Sequence, residues 1–218
     1  MSRTTEKVFY ILTWLFQGSS YLSPRAYGVL HRLHHAHADT ALDPHSPKYD
    51  NNLFHMMWKT KNVYSDVFYE KTQLDSQYTK NVPDWRAMDD FADGWFNRIF
   101  WMVIYTAFYF FFAEHWYQWL LLPIQFVMGP FHGAIINWFA HKYGYRNHEL
   151  EDTSRNLWFP DLIMWGEGFH NNHHKFPARS NFGTRWYEFD PMYPLIRIFD
   201  SVGLIHLVAK PAVAKQQK

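Results

Sequence analysis

The chain of 218 residues contains no cysteine. That excludes disulfides, thiolate nucleophiles, thiolate zinc sites and cysteine-held iron–sulfur clusters. An excess of either charge is also missing: 21 Lys and Arg stand against 20 Asp and Glu, a formal net charge of +1, with no basic tract, so no nucleic-acid partner is indicated. No H-E-x-x-H helix is present, which removes the usual signature of a zinc hydrolase. There is no internal repeat and no low-complexity tract. The length allows a single domain, 1–218, with a sizeable core. A mean hydropathy of −0.38 excludes a chain made mostly of membrane spans.

Aromatic residues are abundant, 21% of the chain, with 11 Trp, 14 Tyr and 20 Phe. Rings with a polar edge favour the lipid–water interface. Val8–Phe16 reads as a short helix, buried or lying in an interface plane. Ser23-Pro24 predicts a capped start for a helix that runs to His37. Asn51–Tyr69 predicts a second helix, Glu70–Asp84 a polar link and Arg146–Arg155 a polar loop. Met192–Val208 is mildly amphipathic, and Lys210–Lys218 is a polar tail expected to fray. Ile99–Ala113 and Trp116–Pro130 carry no formal charge and flank Glu114-His115. Two readings fit them: a helical hairpin that enters a bilayer and returns, or a pair of buried helices in an aromatic core. Each arm would be only about 22 Å long at the helical rise, against a hydrocarbon core of ~30 Å, although the second could lengthen to Trp138. The expected fold is all-α, with an integral membrane hairpin in the Ile99–Pro130 region and a cytosolic helical cap.

That cap carries the chemistry. Of 14 histidines, seven fall into His31-Arg32-Leu33-His34-His35, Asn137-Trp138-Phe139-Ala140-His141 and Gly166-Glu167-Gly168-Phe169-His170-Asn171-Asn172-His173-His174. His31, His34 and His35 stand at i, i+3 and i+4, so they project from one helix face. His170, His173 and His174 repeat that spacing. His141 follows Asn137 by four residues, and the asparagine could bind a metal or hold a metal-bound water. Asp39, Asp43 and Glu167 are candidate acceptors for ligand ring N–H groups. His45, His132 and His148 read as packing groups, and His37, His55, His115 and His206 show no partner pattern. Gly144 and Gly168 read as backbone accommodations. Seven imidazoles exceed the need of one tetrahedral ion and suit two iron-class ions. Such a centre beside lipid points to oxygen chemistry on an unactivated C–H bond. Removing two hydrogens gives an alkene; returning oxygen gives an alcohol.

On these residues the chain resembles the membrane fatty acid desaturases, specifically the acyl-CoA Δ9 (stearoyl-CoA-like) branch. The first histidine group resembles that family's second histidine box. The Gly166–Pro177 run resembles its third, and Asn137, His141 and Gly144 match its N-x-x-x-H-x-x-G element. The resemblance covers nearly the whole chain. It implies a di-iron centre, molecular oxygen as co-substrate, and an electron donor such as cytochrome b5 or ferredoxin. It also implies a cis double bond placed in a saturated acyl-CoA or lipid-bound acyl chain. The implied ligands are His31, His34, His35, His141, His170, His173 and His174, with Asn137 on a metal-bound water and Trp138 and Trp165 flanking the acyl tunnel. The implied location is an integral membrane one, a bacterial inner membrane, with the active site facing the cytoplasm.

One departure sets a further expectation. The family's first box, H-R-x-x-x-H, has no counterpart here. The resemblance therefore implies an N-terminally shortened domain with two ligands missing, a weakened centre and doubtful turnover. Two other readings follow, a metal-poor remnant and a lipid hydroxylase or ketolase on the same scaffold.

Overall fold

The computed structural model describes residues 1–158 and 161–207; the predicted tail Lys210–Lys218 and Val208 lie outside them. Ten α-helices follow in order among these residues: α1 (Arg3–Gln17), α2 (Pro24–His37), α3 (Leu53–Phe68), α4 (Ser76–Thr79), α5 (Arg86–Asp93), α6 (Trp95–Phe112), α7 (Leu122–Phe126), α8 (Met128–Trp138), α9 (His170–Lys175) and α10 (Met192–Ser201). The all-α expectation holds; the only strand-like pairs among the described residues are the isolated bridges Tyr145–Asn156 and Asn156–Phe169.

Helix α2 starts where the Ser-Pro pair predicts. The Ser23 hydroxyl accepts from Ala26 N–H, and Pro24 takes the first turn, where no amide donor is needed. Its inner face, Ala26 and Val29, packs with Val67 and Phe68 of α3, and Leu33 and Tyr64 flank that core. The histidine face is thereby turned away from α3. Helix α1 ends at Gly18, whose φ of +54° suits glycine. A Cβ there would also fall 1.6 Å from the Tyr105 hydroxyl of α6. Trp14 Nε1–H donates to Asn97 Oδ1 at 2.9 Å, tying α1 to α6. Arg98 donates to the Ser19 and Tyr21 carbonyls and pairs with Asp93. The one charge inside α6 thus holds the link between α1 and α2 in place.

The membrane hairpin is corrected by these elements. Among the described residues no single helix is long and apolar enough to cross a membrane. Helix α6 has 18 residues, about 27 Å of rise, but it includes Asn97, Arg98 and several amphipathic rings. The second arm is not one helix. After Glu114-His115 the chain forms a 3₁₀ turn, Trp116–Leu121, then α7 and, past Val127, α8. Trp116–Phe126 and Met128–His141 are apolar enough only when taken together, and they meet at a 74° bend. Charge-free composition cannot reveal such a break, because Val127 carries no breaker signal of its own. The expected integral-membrane placement, with a cap facing the cytoplasm, therefore loses the straight spans it rested on. Phe96, Phe110, Phe111 and Trp116 remain among the exposed rings of this segment.

Candidate metal centre

Histidines from three elements meet in one place. His34, His141, His170 and His174 bring one ring nitrogen each within 4.8 Å of the others, and His31, His35 and His173 form a second group by the same measure. The groups adjoin, with the His35 and His174 rings 4.8 Å apart. Each group draws on both histidine motifs: His34 of α2 faces His174 of α9, and His31 and His35 of α2 face His173. His141 comes from the 3₁₀ turn Phe139–His141 that follows α8.

Helix α9 has six residues, too short to be stable alone. The two asparagines between its histidines hold it. Asn171 Oδ1 accepts from the Asn147 and His148 amides, and its Nδ2 donates to the His148 and Ser154 carbonyls. Asn172 Nδ2 donates to the Phe182 carbonyl and to Glu188, while its Oδ1 accepts from Asn147 and Asn156. The turn before α9 is set by Asp161, whose carboxylate accepts from the Met164, Gly166 and Gly168 amides. A Cβ on Gly168 would meet that carboxylate at 2.7 Å, and one on Gly144 (φ +111°) would lie 2.0 Å from the Asn156 carbonyl. Both glycines are backbone accommodations, as their sequence context indicates.

Outer partners fix the ring tautomers. His34 Nδ1 lies 3.0 Å from both oxygens of buried Asp43, and His174 Nδ1 lies 3.0 Å from Asp152. Thr153 donates its hydroxyl to Asp39, so it accepts from His141 Nδ1 at 3.2 Å, with Asp39 itself 3.4 Å from that nitrogen. Burial pushes Asp39 and Asp152 up, but bonds from His141 and His174 and from neighbouring hydroxyls outweigh it and hold both carboxyls well below the usual range. These anions keep the Nδ1 protons in place, which leaves Nε2 lone pairs on His34, His141 and His174. His34 Nε2 and His174 Nε2 nevertheless face each other at 3.1 Å. In the other group the three Nε2 atoms stand 2.8–3.1 Å apart in a triangle. A triangle of single-site donors and acceptors always contains one like-with-like pair, so hydrogen bonding cannot satisfy it. A shared cation does. Nitrogens bound at about 2.1 Å and at right angles sit about 3.0 Å apart, the spacing observed.

The depleted-centre expectation is corrected here. Four imidazoles close one site, and three, the usual protein complement of an open catalytic site, form the other. Counting absent motif residues misjudged the set, because what matters is how many donors converge on each point. The two groups are consistent with complete rather than depleted donor sets, and the remnant reading loses the depletion it rested on.

The other expected residues fall as follows. Asp43 faces the His34 ring and Asp39 the His141 ring, while Glu167 makes no hydrogen bond to a histidine among the described residues. Burial, then Asp190 and Asp161, push the Glu167 carboxyl up to about 7. Asn137 is half-buried on α8 and its side chain makes no hydrogen bond among the described residues. Trp138 lies under the Lys142 ammonium, 3.5 Å away, and Trp165 is 57% exposed at φ +55°. His45 packs its ring 4.3 Å from His34; the grouping of His34, Asp43 and His45 would need the His34 nitrogen already given to Asp43. Asp152, Thr153 and the two asparagines were not singled out by sequence. An acidic residue in a polar loop has no spacing signal, and asparagines within a histidine motif read as spacers.

Burial, and secondarily the other imidazoles, lower His31 to about 4, His35 to about 3 and His173 to about 2. Burial also drives His34, His45 and His170 well below their ordinary value. The rings are neutral at pH 7, the form that binds metal. Unfolded histidines protonate at about 6.5, so below that pH the unfolded chain holds protons the folded chain refuses. Stability is full above pH 6.5 and falls as pH drops toward the folded values. Glu167 opposes this trend, but the histidines are more numerous. We expect the urea midpoint of metal-free protein to be lower at pH 5.5 than at pH 7.5. An unchanged or higher midpoint would show that these rings are not held neutral.

Comparison with known proteins gives the same direction. The profile of the fatty acid desaturase family matches residues 2–201. A Delta-9 desaturase-like 4 protein of Arabidopsis thaliana is 30% identical over 212 residues, 89% of this chain and 63% of its own length. An sn-1 stearoyl-lipid 9-desaturase of Synechocystis is 30% identical over 84% of this chain and 54% of its own. An acyl-CoA 5-desaturase of Anemone leveillei is 28% identical over 86% and 56%. The chain thus spans about three fifths of the length of these relatives, whose names differ in acyl carrier and in bond position. No solved structure matches it. Since the family profile runs through α2, the 3₁₀ turn bearing His141 and α9, all the elements that build the two histidine groups, the chain belongs to the fatty acid desaturase family.

Proposed function

We propose that the chain carries the di-iron core of an oxygen-dependent acyl-chain desaturase that introduces a cis double bond, at Δ9, into a saturated fatty acyl thioester or lipid-bound chain. The observation that supports this most is the convergence of seven imidazoles on two adjacent points without any thiolate. Nitrogen donors of this kind suit iron-class ions, and they leave room for oxygen at the three-imidazole group. Overall, two C–H bonds of the acyl chain break and a C=C bond forms. Molecular oxygen takes two electrons from the acyl chain and two from a donor such as cytochrome b5 or ferredoxin. With two protons from solvent and the two hydrogens removed, it leaves as two waters. A bound iron pair would supply the activation of oxygen that no side chain here can provide.

The residues of the chain have the remaining tasks. His34, His141, His170 and His174 would hold one ion, and His31, His35 and His173 the other. Asp43, Asp152 and the Asp39–Thr153 pair keep the proton on Nδ1 of their rings and so aim Nε2 inward. By the family resemblance, Asn137 would hold a metal-bound water.

Expression in a host lacking its own desaturase, followed by fatty acid profiling, tests the reading. A new monounsaturated chain, lighter by two hydrogens, is the expected product. A hydroxylated chain would make the protein a lipid hydroxylase, and an unchanged profile together with iron-free protein would overturn the assignment.

A further inference from the structure

The two histidine groups differ in donor number, in enclosure and in the number of rings anchored at Nδ1. The four-imidazole group is closed: the side chains of His34, His141 and His174 are 1%, 0% and 2% exposed, and His170 is equally buried. Three of its four rings donate Nδ1–H to a carboxylate or to a hydroxyl backed by one, and of the four only His170 Nδ1 is buried without a partner. In the three-imidazole group, no described side chain accepts from Nδ1 of His31, His35 or His173, and His173 Nδ1 is buried without a partner. Both His31 and His35 are half-exposed. A cavity of about 390 Å³ opens on all three rings, walled in part by Tyr78 and Pro177. Its Tyr78 side is held by Arg32, which donates to the Tyr78, Lys80 and Asn81 carbonyls.

The geometry points to two unequal metal sites filled in order: a tight, buried ion in the four-imidazole group, and an exchangeable ion in the three-imidazole group that enters and leaves through the Tyr78–Pro177 cavity. This rests on the two-ion reading above and deepens it. Three physical terms act in the same sense. One more nitrogen binds the first ion. Anchored Nδ1 protons make its ligand rings more basic and better aimed, an effect worth about 10–100-fold in metal affinity per partner. Finally, two divalent cations in adjoining groups repel, and the repulsion expels the one with fewer donors and an open path.

The test reads metal release directly. The purified chain is loaded with zinc, a redox-inert probe, freed of excess metal and mixed with an excess of chromogenic chelator. We expect two zinc ions per chain and two release phases of equal amplitude, at rates at least about tenfold apart. The Asp152→Asn variant should speed the slow phase about 10–100-fold and leave the fast one unchanged; Asp43→Asn serves the same purpose if that variant does not fold by circular dichroism. His35→Ala and His31→Ala should each delete the fast phase and keep the slow one. Two ions leaving at one rate, or loss of the slow phase in His35→Ala, overturns the ordering while the two-ion centre stands. Fewer than two ions on the parent chain overturns both.

Discussion

On the proposed function, replacing His173 with alanine should abolish unsaturated product. The His173 Nε2 lies 3.0 Å from that of His31 and 2.8 Å from that of His35, so its removal leaves two donors where an open catalytic site needs three. The fold should survive the change. His173 Nδ1 has no partner to strand, and the ring's main neighbour outside the cluster is Phe182, stacked at 4.3 Å. Truncating a buried aromatic ring costs up to a few kcal/mol, so circular dichroism and a denaturation curve belong beside the fatty acid profile. Expected together are a folded protein, one metal ion per chain and a profile equal to that of the empty host. Wild-type levels of product from this variant would remove His173, and with it the three-imidazole site, from the mechanism.

The second large effect lies outside the histidines. Glu188 is 5% exposed, and its carboxylate accepts from the Tyr145 hydroxyl, Asn147 and Asn172 side-chain amides, the Thr184 amide and hydroxyl and the Arg185 amide. Burial raises its pKa, but these bonds prevail and the group sits below its usual value. Glu188→Ala leaves several buried donors unpaired at about 1–3 kcal/mol each. The expected loss is about 4 kcal/mol, a large share of the marginal stability of a domain. Because Asn147 and Asn172 also lock α9, metal retention should fall in step. Denaturant midpoints and metal content per chain measure the two. A loss under about 1 kcal/mol with full metal content would show that α9 is held by other contacts.

Much of the helical framework can be read locally. Ser23-Pro24 announces α2, and Asn52, whose side chain accepts from His55 N–H, starts α3 within two residues of the predicted boundary. The His31 and His170 motifs are equally plain, because a spacing of three and four residues has one meaning on a helix. The path of the second arm, Trp116–Pro130 with its possible extension to Trp138, is not legible in the same way. Hydropathy sums residues without regard to direction, so it cannot see a 74° bend at Val127. The polar link Glu70–Asp84 hid α4, whose single turn of four residues carries too little pattern to detect. Asp152 escaped for a similar reason: its value lies in standing 3.0 Å from a ring 22 residues away.

The sequence by itself determined which imidazoles are available and that they come as two triplets, each able to present its nitrogens along one face within about one turn, plus the separate His141. Tertiary structure decided how they are shared, four against three, with His34 parted from His31 and His35. Helical spacing fixes only the direction in which a side chain leaves its own axis. Which ring it then meets depends on where α9 is carried, and that is set by Asn147, Asn156, Asp161 and Glu188, whose bonds act across the fold and leave no periodic trace in the chain.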